Sequence, residues 1–340
     1  MNRKKGLDFV RAISALGIVA FHFYCHSSSA CKLFLVHANG TWGGVLNYLF
    51  FAMSGLVLHL KYGKTEKLNL KEFYYKRWKA MMPAYLTVFS YVFMMKVFSF
   101  GRFFYMDIPK ARLLLSLIGL DGYIALVTPT YFAVGEWFLG AILIAYIAYP
   151  LLKWIMEKNK LVGLIGLICA YAIFLKIGFL GFPAAANPVT CMLCFYIGML
   201  MACYPKMLER TAVVAASAAV AGFLLLIALP GVSVTKEMLI GFSLLITLNW
   251  VGERLCRCEG VYRGAAFVSG LSFYIFLIHH NLIYKVLTGF DSTSTRYCLG
   301  VLAVIILATL IFSHILSIVM KSLLGNRFFR RIETAILKQG

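Results

Sequence analysis

The sequence predicts an all-α polytopic membrane protein, a bundle of about ten transmembrane helices with one re-entrant or interfacial segment at 112–130. Three observations carry this prediction. The 340-residue chain is 61% hydrophobic with a mean hydropathy of +0.84, and only 14% of its residues are charged, far from a soluble globular composition. Its apolar residues fall in runs of about 17–25, the length a helix needs to cross a bilayer. Its basic residues are dispersed between those runs, so the net charge of +20 reads as positive-inside bias and not as a nucleic-acid surface.

The first span is read at 7–26. Arg3, Lys4 and Lys5 precede it as they would in a signal peptide, but no small-residue cleavage site follows, so the helix is expected to stay uncleaved. It carries Asp8, Arg11, His22 and His26, and a charge at membrane depth is costly unless it turns toward a partner or a water-filled cavity. Arg11 and His22 are eleven residues apart. At about 100° and 1.5 Å per residue they lie within about 20° on one helix face and ~16 Å apart along it. One stripe thus carries a cation near one membrane surface and an imidazole toward the other.

The second span is read at 42–60. The hydrophilic segment 61–79 follows, holding seven of the 33 Lys and Arg residues, and leads into a third span at 80–99. Further spans are read at 132–152, 161–179, 187–204, 211–229, 237–251, 265–288 and 297–319. The stretch 112–130 is apolar enough to span but is broken by Asp121, Gly122 and Pro129. With the N-terminus inside and ten spans, 23 of the 33 basic residues face the cytoplasm. An eleventh span at 112–130 would put Lys153, Lys158 and Lys160 outside, so the positive-inside rule favours a re-entrant or interfacial segment. Both termini are then cytoplasmic, residues 1–320 form the membrane domain, and 321–340 form a basic tail.

Nine cysteines lie mostly within apolar runs without paired zinc-site spacing, so packing is expected for them, including the Cys191/Cys194 pair, and no metal site is predicted. By depth, Arg11, Arg77, Lys79 and His59 lie toward the cytoplasm, whereas His22, Glu136 and His279 lie at middle to outer depth. Guanidinium and ammonium groups facing inward suit a polyanionic cytosolic ligand, and an imidazole titrating near neutral pH suits removing a proton from a hydroxyl. Plainer readings stand beside these. The 61–79 cluster doubles as topology signal or anionic-lipid contact, Arg11 can snorkel, and His22 can bond a neighbouring helix. Glu136 can be solvated near the surface, and Ser54-Gly55 also reads as a small-residue helix contact. His26, His37, His280 and His314 read as structural or interfacial.

Several ordered elements carry a resemblance. Asp8, Arg11, Ser14-Ala15 and His22 in the first span, LFFAMSGLVL at 49–58, FYYKRWKAMMPAYL at 73–86, GEWFLGAILIAYIAYPLL at 135–152 and LSFYIFLIHH at 271–280 together resemble the acyltransferase 3 family, bacterial integral-membrane enzymes that O-acylate cell-surface glycans. Many members carry a further Arg three residues before the Pro83 position; here Ala80 stands there, beside Lys79. The resemblance implies an O-acyltransferase of the bacterial cytoplasmic membrane that moves an acetyl group from cytosolic acetyl-CoA to a hydroxyl of a surface polysaccharide or its lipid-linked precursor. On this reading His22, Arg11 and Glu136 are catalytic, with His22 as general base or transient acyl carrier. Arg77, Lys76 and Lys79 bind the donor, and His279, Trp137 and Ser54 contact the acceptor. Acyl-CoA is a co-substrate, and no tightly bound cofactor, metal or nucleic acid is expected. The sequence is compatible with a homo-oligomer. A transporter or flippase for a lipid-linked saccharide would use the same buried charges as a proton relay and substrate path, but would favour two related halves, and no internal repeat is evident.

Overall fold

The computed structural model describes residues 4–27, 34–104, 107–134, 137–229, 231–287 and 295–338; Arg3, Cys31, Lys32 and Glu136 lie outside them. The described residues form an all-helical bundle with one short hairpin. Among the described residues, seven helices are long and apolar enough to cross a membrane, and two shorter apolar helices accompany them. The first, α1, covers Lys5–His26. A two-stranded hairpin, β1 at Val36–His37 and β2 at Gly40–Thr41, leads to α2 at Trp42–Tyr62, whose start Thr41 caps by accepting from the Gly44 amide. Lys236 secures the hairpin by donating to the carbonyls of Ala38 and Ile227. Burial, and then the nearby Lys236 charge, hold the His37 imidazole in this hairpin below its ordinary pKa.

The third helix, α3, spans Leu70–Phe100 and begins ten residues before the expected span. Asn69 accepts from the Glu72 amide, so a side-chain cap starts the helix within the hydrophilic segment that hydropathy reads as loop. Segment 112–130 forms no spanning helix. A 3-10 turn at Lys110–Arg112 leads into two short helices, α4 at Leu113–Leu117 and α5 at Asp121–Ile124. Asp121 is buried and accepts from the Tyr85 hydroxyl at 2.9 Å, while the Tyr123 hydroxyl donates to Ala186 O at 2.8 Å. These bonds hold the segment against the bundle.

The next helix, α6, runs over Trp137–Ile177 with non-helical backbone at Asn159 (φ −158°, ψ 108°). Residues 131–134, expected to open this span, are not helical. At the break, Asn159 Oδ1 accepts from the amides of Leu161 and Val162 and so caps a second helical half. The break falls in the gap between the spans read at 132–152 and 161–179, so α6 supplies both. The chain continues with α7 (Pro188–Cys203), α8 (Thr211–Leu226), α9 (Ser233–Leu255), α10 (Glu259–Leu287), α11 (Thr295–Gly325) and α12 (Arg327–Lys338). Cysteine packing holds for Cys191 and Cys194, which are buried and free. Cys298, near the start of α11, is instead disulfide-bonded.

Helix α2 is the centre of the bundle, packed against α7, α9 and α1. A Cβ on Gly55 would lie 1.9 Å from Phe195 O, and one on Gly198 would lie 1.8 Å from Ala52 O. Only glycine at both positions lets α2 and α7 approach this closely, the means by which membrane helices gain packing contacts. Gly55 is thus the small-residue contact that Ser54-Gly55 suggested. Helix α1 packs on α10 and α9, with buried Asp8 accepting from the Ser269 hydroxyl of α10 at 2.8 Å.

Candidate active site

Six helices converge on one cavity of about 500 Å³. Helix α1 supplies Arg11 and His22, α2 supplies Asn47 and Ser54, and α3 supplies Arg77. Trp137 and Tyr146 come from α6, Glu237 from α9, and Ser272 and Phe276 from α10. The shared face of Arg11 and His22 on α1 therefore opens onto a single space, with Arg77 added from α3. Most of the remaining wall is apolar. A concave, mostly apolar pocket with a few convergent polar groups is the usual form of a small-molecule site.

Arg77 is a committed cation in this cavity. Its guanidinium carbon lies 5.8 Å from the centre of the Tyr146 ring, and its Nε is buried with no hydrogen-bond partner among the described residues. A buried donor without an acceptor costs about 1–3 kcal/mol, more when charged, so an anionic ligand there would gain by supplying one. Lys76 and Lys79 are placed differently. Lys76 pairs with Glu72 one turn away, Lys79 pairs with Glu333 of α12 at 2.7 Å, and neither lines the cavity.

At the other end, His22 lies beside two further imidazoles. Its ring centre is 5.2 Å from that of His279 and 4.1 Å from that of His280. His279 is fully buried and is not among the residues that line the cavity. Its Nδ1 lies 2.9 Å from Ile275 O and 3.0 Å from Phe276 O. Because carbonyls only accept, Nδ1 is the donor here, and in the neutral form of the ring the lone pair falls on Nε2. One ring nitrogen from each of His22, His279 and His280 lies within 4.8 Å of the others, making these three a group that could hold a metal ion. The His26 and Tyr284 rings meet at a tilt of 50° with their centres 4.6 Å apart. Of the other expected acceptor residues, Ser54 and Trp137 line the cavity; Glu136 lies outside the described residues.

The structure adds a residue that the sequence reading passed over. Glu237 reaches the cavity wall, and its Oε1 accepts from the Thr41 amide at 2.7 Å and the Thr41 hydroxyl at 3.2 Å. A Cβ on Gly44 would fall 1.8 Å from its other oxygen, so glycine makes room for the carboxylate. The available signal was a Glu at the first position of the apolar run 237–251, where an acidic group at membrane depth is a functional candidate by default.

No curated protein and no solved structure gives a significant match to the chain. A family model described as an acyltransferase domain matches residues 4–313, a range that takes in all the cavity-lining residues named above. The chain therefore belongs to the acyltransferase 3 family and is a multi-pass membrane acyltransferase.

Proposed function

We propose that this membrane acyltransferase is an O-acetyltransferase of the bacterial cytoplasmic membrane, carrying an acetyl group from cytosolic acetyl-CoA to a hydroxyl of a surface glycan or its lipid-linked precursor. The observation that carries the reading is the single cavity shared by Arg11, Arg77 and His22. Arg77, with its unpartnered Nε, and Arg11 offer fork-shaped donors to the donor's phosphates. The thioester arm then lies along the apolar wall toward His22. The acceptor hydroxyl oxygen attacks the thioester carbonyl carbon while His22 takes its proton. The carbon–sulfur bond breaks, the CoA thiolate leaves, and the oxygen ester forms. A positioned base typically contributes ~100- to 10,000-fold to such a step.

Charge and redox placement support the direction of transfer. With 23 of 33 basic residues inside, the Arg11 end faces the cytoplasm and the His22 end faces out. The disulfide at Cys298, at the end of α11 that this topology puts outside, supports the same orientation, because disulfides persist in oxidising compartments. Cysteines introduced at positions 155 and 335 should be labelled only from the cytoplasmic side; labelling of either from outside intact cells would overturn the orientation. Inverted membrane vesicles given radiolabelled acetyl-CoA test the reaction. Label should enter the glycan fraction only when the protein is present. Intact acetyl-CoA and an unlabelled glycan fraction would refute the reading.

A further inference from the structure

We propose that His22, His279 and His280 form a binding site for one divalent transition-metal ion of the zinc type, and that occupancy shuts off acyl transfer. The three residues lie on two helices, α1 and α10, that pack along each other. Their candidate ligand atoms already lie within 4.8 Å of one another. Zinc–imidazole bonds of about 2.0–2.1 Å in a tetrahedral site set the nitrogens about 3.4 Å apart, so the group closes by at most about 1.4 Å. The partly buried His22 and His280 rings can supply that movement by rotating. The fully buried His279 ring is fixed, with Nδ1 bonded to backbone carbonyls and Nε2 buried without a hydrogen-bond partner among the described residues. A carbonyl holding the second ring nitrogen is the usual support behind a metal-binding imidazole.

The chemistry of the group selects the ion and the kind of effect. Three imidazole nitrogens suit zinc, cobalt, nickel or copper and not magnesium or calcium, which take oxygen ligands. Among the described residues the group contains no carboxylate, and the cavity it adjoins holds two arginines, while its Glu237 is engaged by Thr41. Among these residues the double charge is little compensated, which favours a reversible occupant over a permanent one. Access is short, since exposed His26 and Cys25 lie within one turn of His22 at the end of α1. A bound ion takes the lone pair of His22, so the ion and the acceptor proton compete for it. The inhibitory half of the proposal rests on the acyl-transfer reading; the binding half does not.

Both halves are tested on purified full-length protein. Dialysis against cobalt(II) should leave about one ion per chain, with visible ligand-field bands and no near-ultraviolet thiolate band, because the ligands are imidazoles. Removing a ligand should cost at least as much as removing its support, about tenfold or more, in His279→Ala and in His280→Ala. His26→Ala, outside the group, should bind as wild type does. Absence of stoichiometric cobalt in wild-type protein, a thiolate band, or undiminished binding in His280→Ala would overturn the site. Transfer is then compared for each protein with its own metal-free rate. Zinc should inhibit wild type over the range that fills the site, and a chelator should restore the rate. Full metal occupancy with an unchanged rate would overturn the inhibition while leaving the transfer reading intact. Metal binding without transfer from any metal-free sample would count against the transfer reading alone.

Discussion

Replacing Gly198 by alanine probes the closest helix contact in the bundle. The new Cβ would lie 1.8 Å from Ala52 O, where such contacts do not fall below 3.0 Å, and Gly55 faces Phe195 O across the same interface at 1.9 Å. Helices α2 and α7 must therefore separate locally by at least about 1.2 Å, losing packing along a face whose neighbours Phe51, Met53, Phe195 and Met199 are fully buried. Overpacking costs about 1–3 kcal/mol and sometimes more, against which alanine regains about 1 kcal/mol of helix propensity. We expect a net loss of up to about 2 kcal/mol, lowering the melting temperature by up to about 5 °C. Gly222→Ala on α8 is the control, because nothing lies within 4 Å of its Cβ position; it gains the propensity and meets no clash. Thermal unfolding of the detergent-purified variants reads the difference. If Gly198→Ala melts with or above Gly222→Ala, α2 and α7 are not packed as described. Transfer should fall with stability, since α2 also carries Ser54 to the cavity.

Arg77→Ala should weaken acetyl-CoA binding by about 10- to 100-fold, the worth of one or two charge-assisted hydrogen bonds, and the deficit should shrink as salt screens the wild-type contact; equal affinity in equilibrium binding would move the donor elsewhere. His37 gives a pH test. Its folded pKa lies below the unfolded value near 6.5, so the unfolded chain binds more protons in that window. Its contribution is fully present above about pH 6.5 and lost as pH falls below it. His37→Gln should therefore show a flatter decline of melting temperature on acidification than wild type, and superimposable curves would contradict the assignment.

The spans were legible because hydropathy is a local property: each stretch read as a span lies largely within a helix, and the gap before residue 161 became the break at Asn159. The start of α3 was less so, because Asn69 capping overrides polarity in a segment that averages hydrophilic. The Arg11–His22 stripe was legible from helix geometry alone, and both residues line the cavity. Partnerships were not legible. Lys79 meets Glu333, and His279 and His280 meet His22, across separations of more than 250 residues that no periodicity encodes. Lys76 and Lys79 are diverted to acidic partners, while Arg77 between them points into the cavity. That choice depends on which face of α3 meets α6, a tertiary fact. Glu237 could have been found, since an acid opening an apolar run is as conspicuous as Asp8.

The central claim, that His22 takes the acceptor's proton at the outward end of a cavity whose cations hold the donor, is tested most directly by acetyl transfer in His22→Gln. Glutamine keeps a hydrogen bond and much of the shape but not the basicity. With protein level, folding and acetyl-CoA binding equal to wild type, the transfer rate should fall by ~100-fold or more. A His22→Gln rate within a few-fold of wild type would contradict the account and leave His22 as a helix-packing residue.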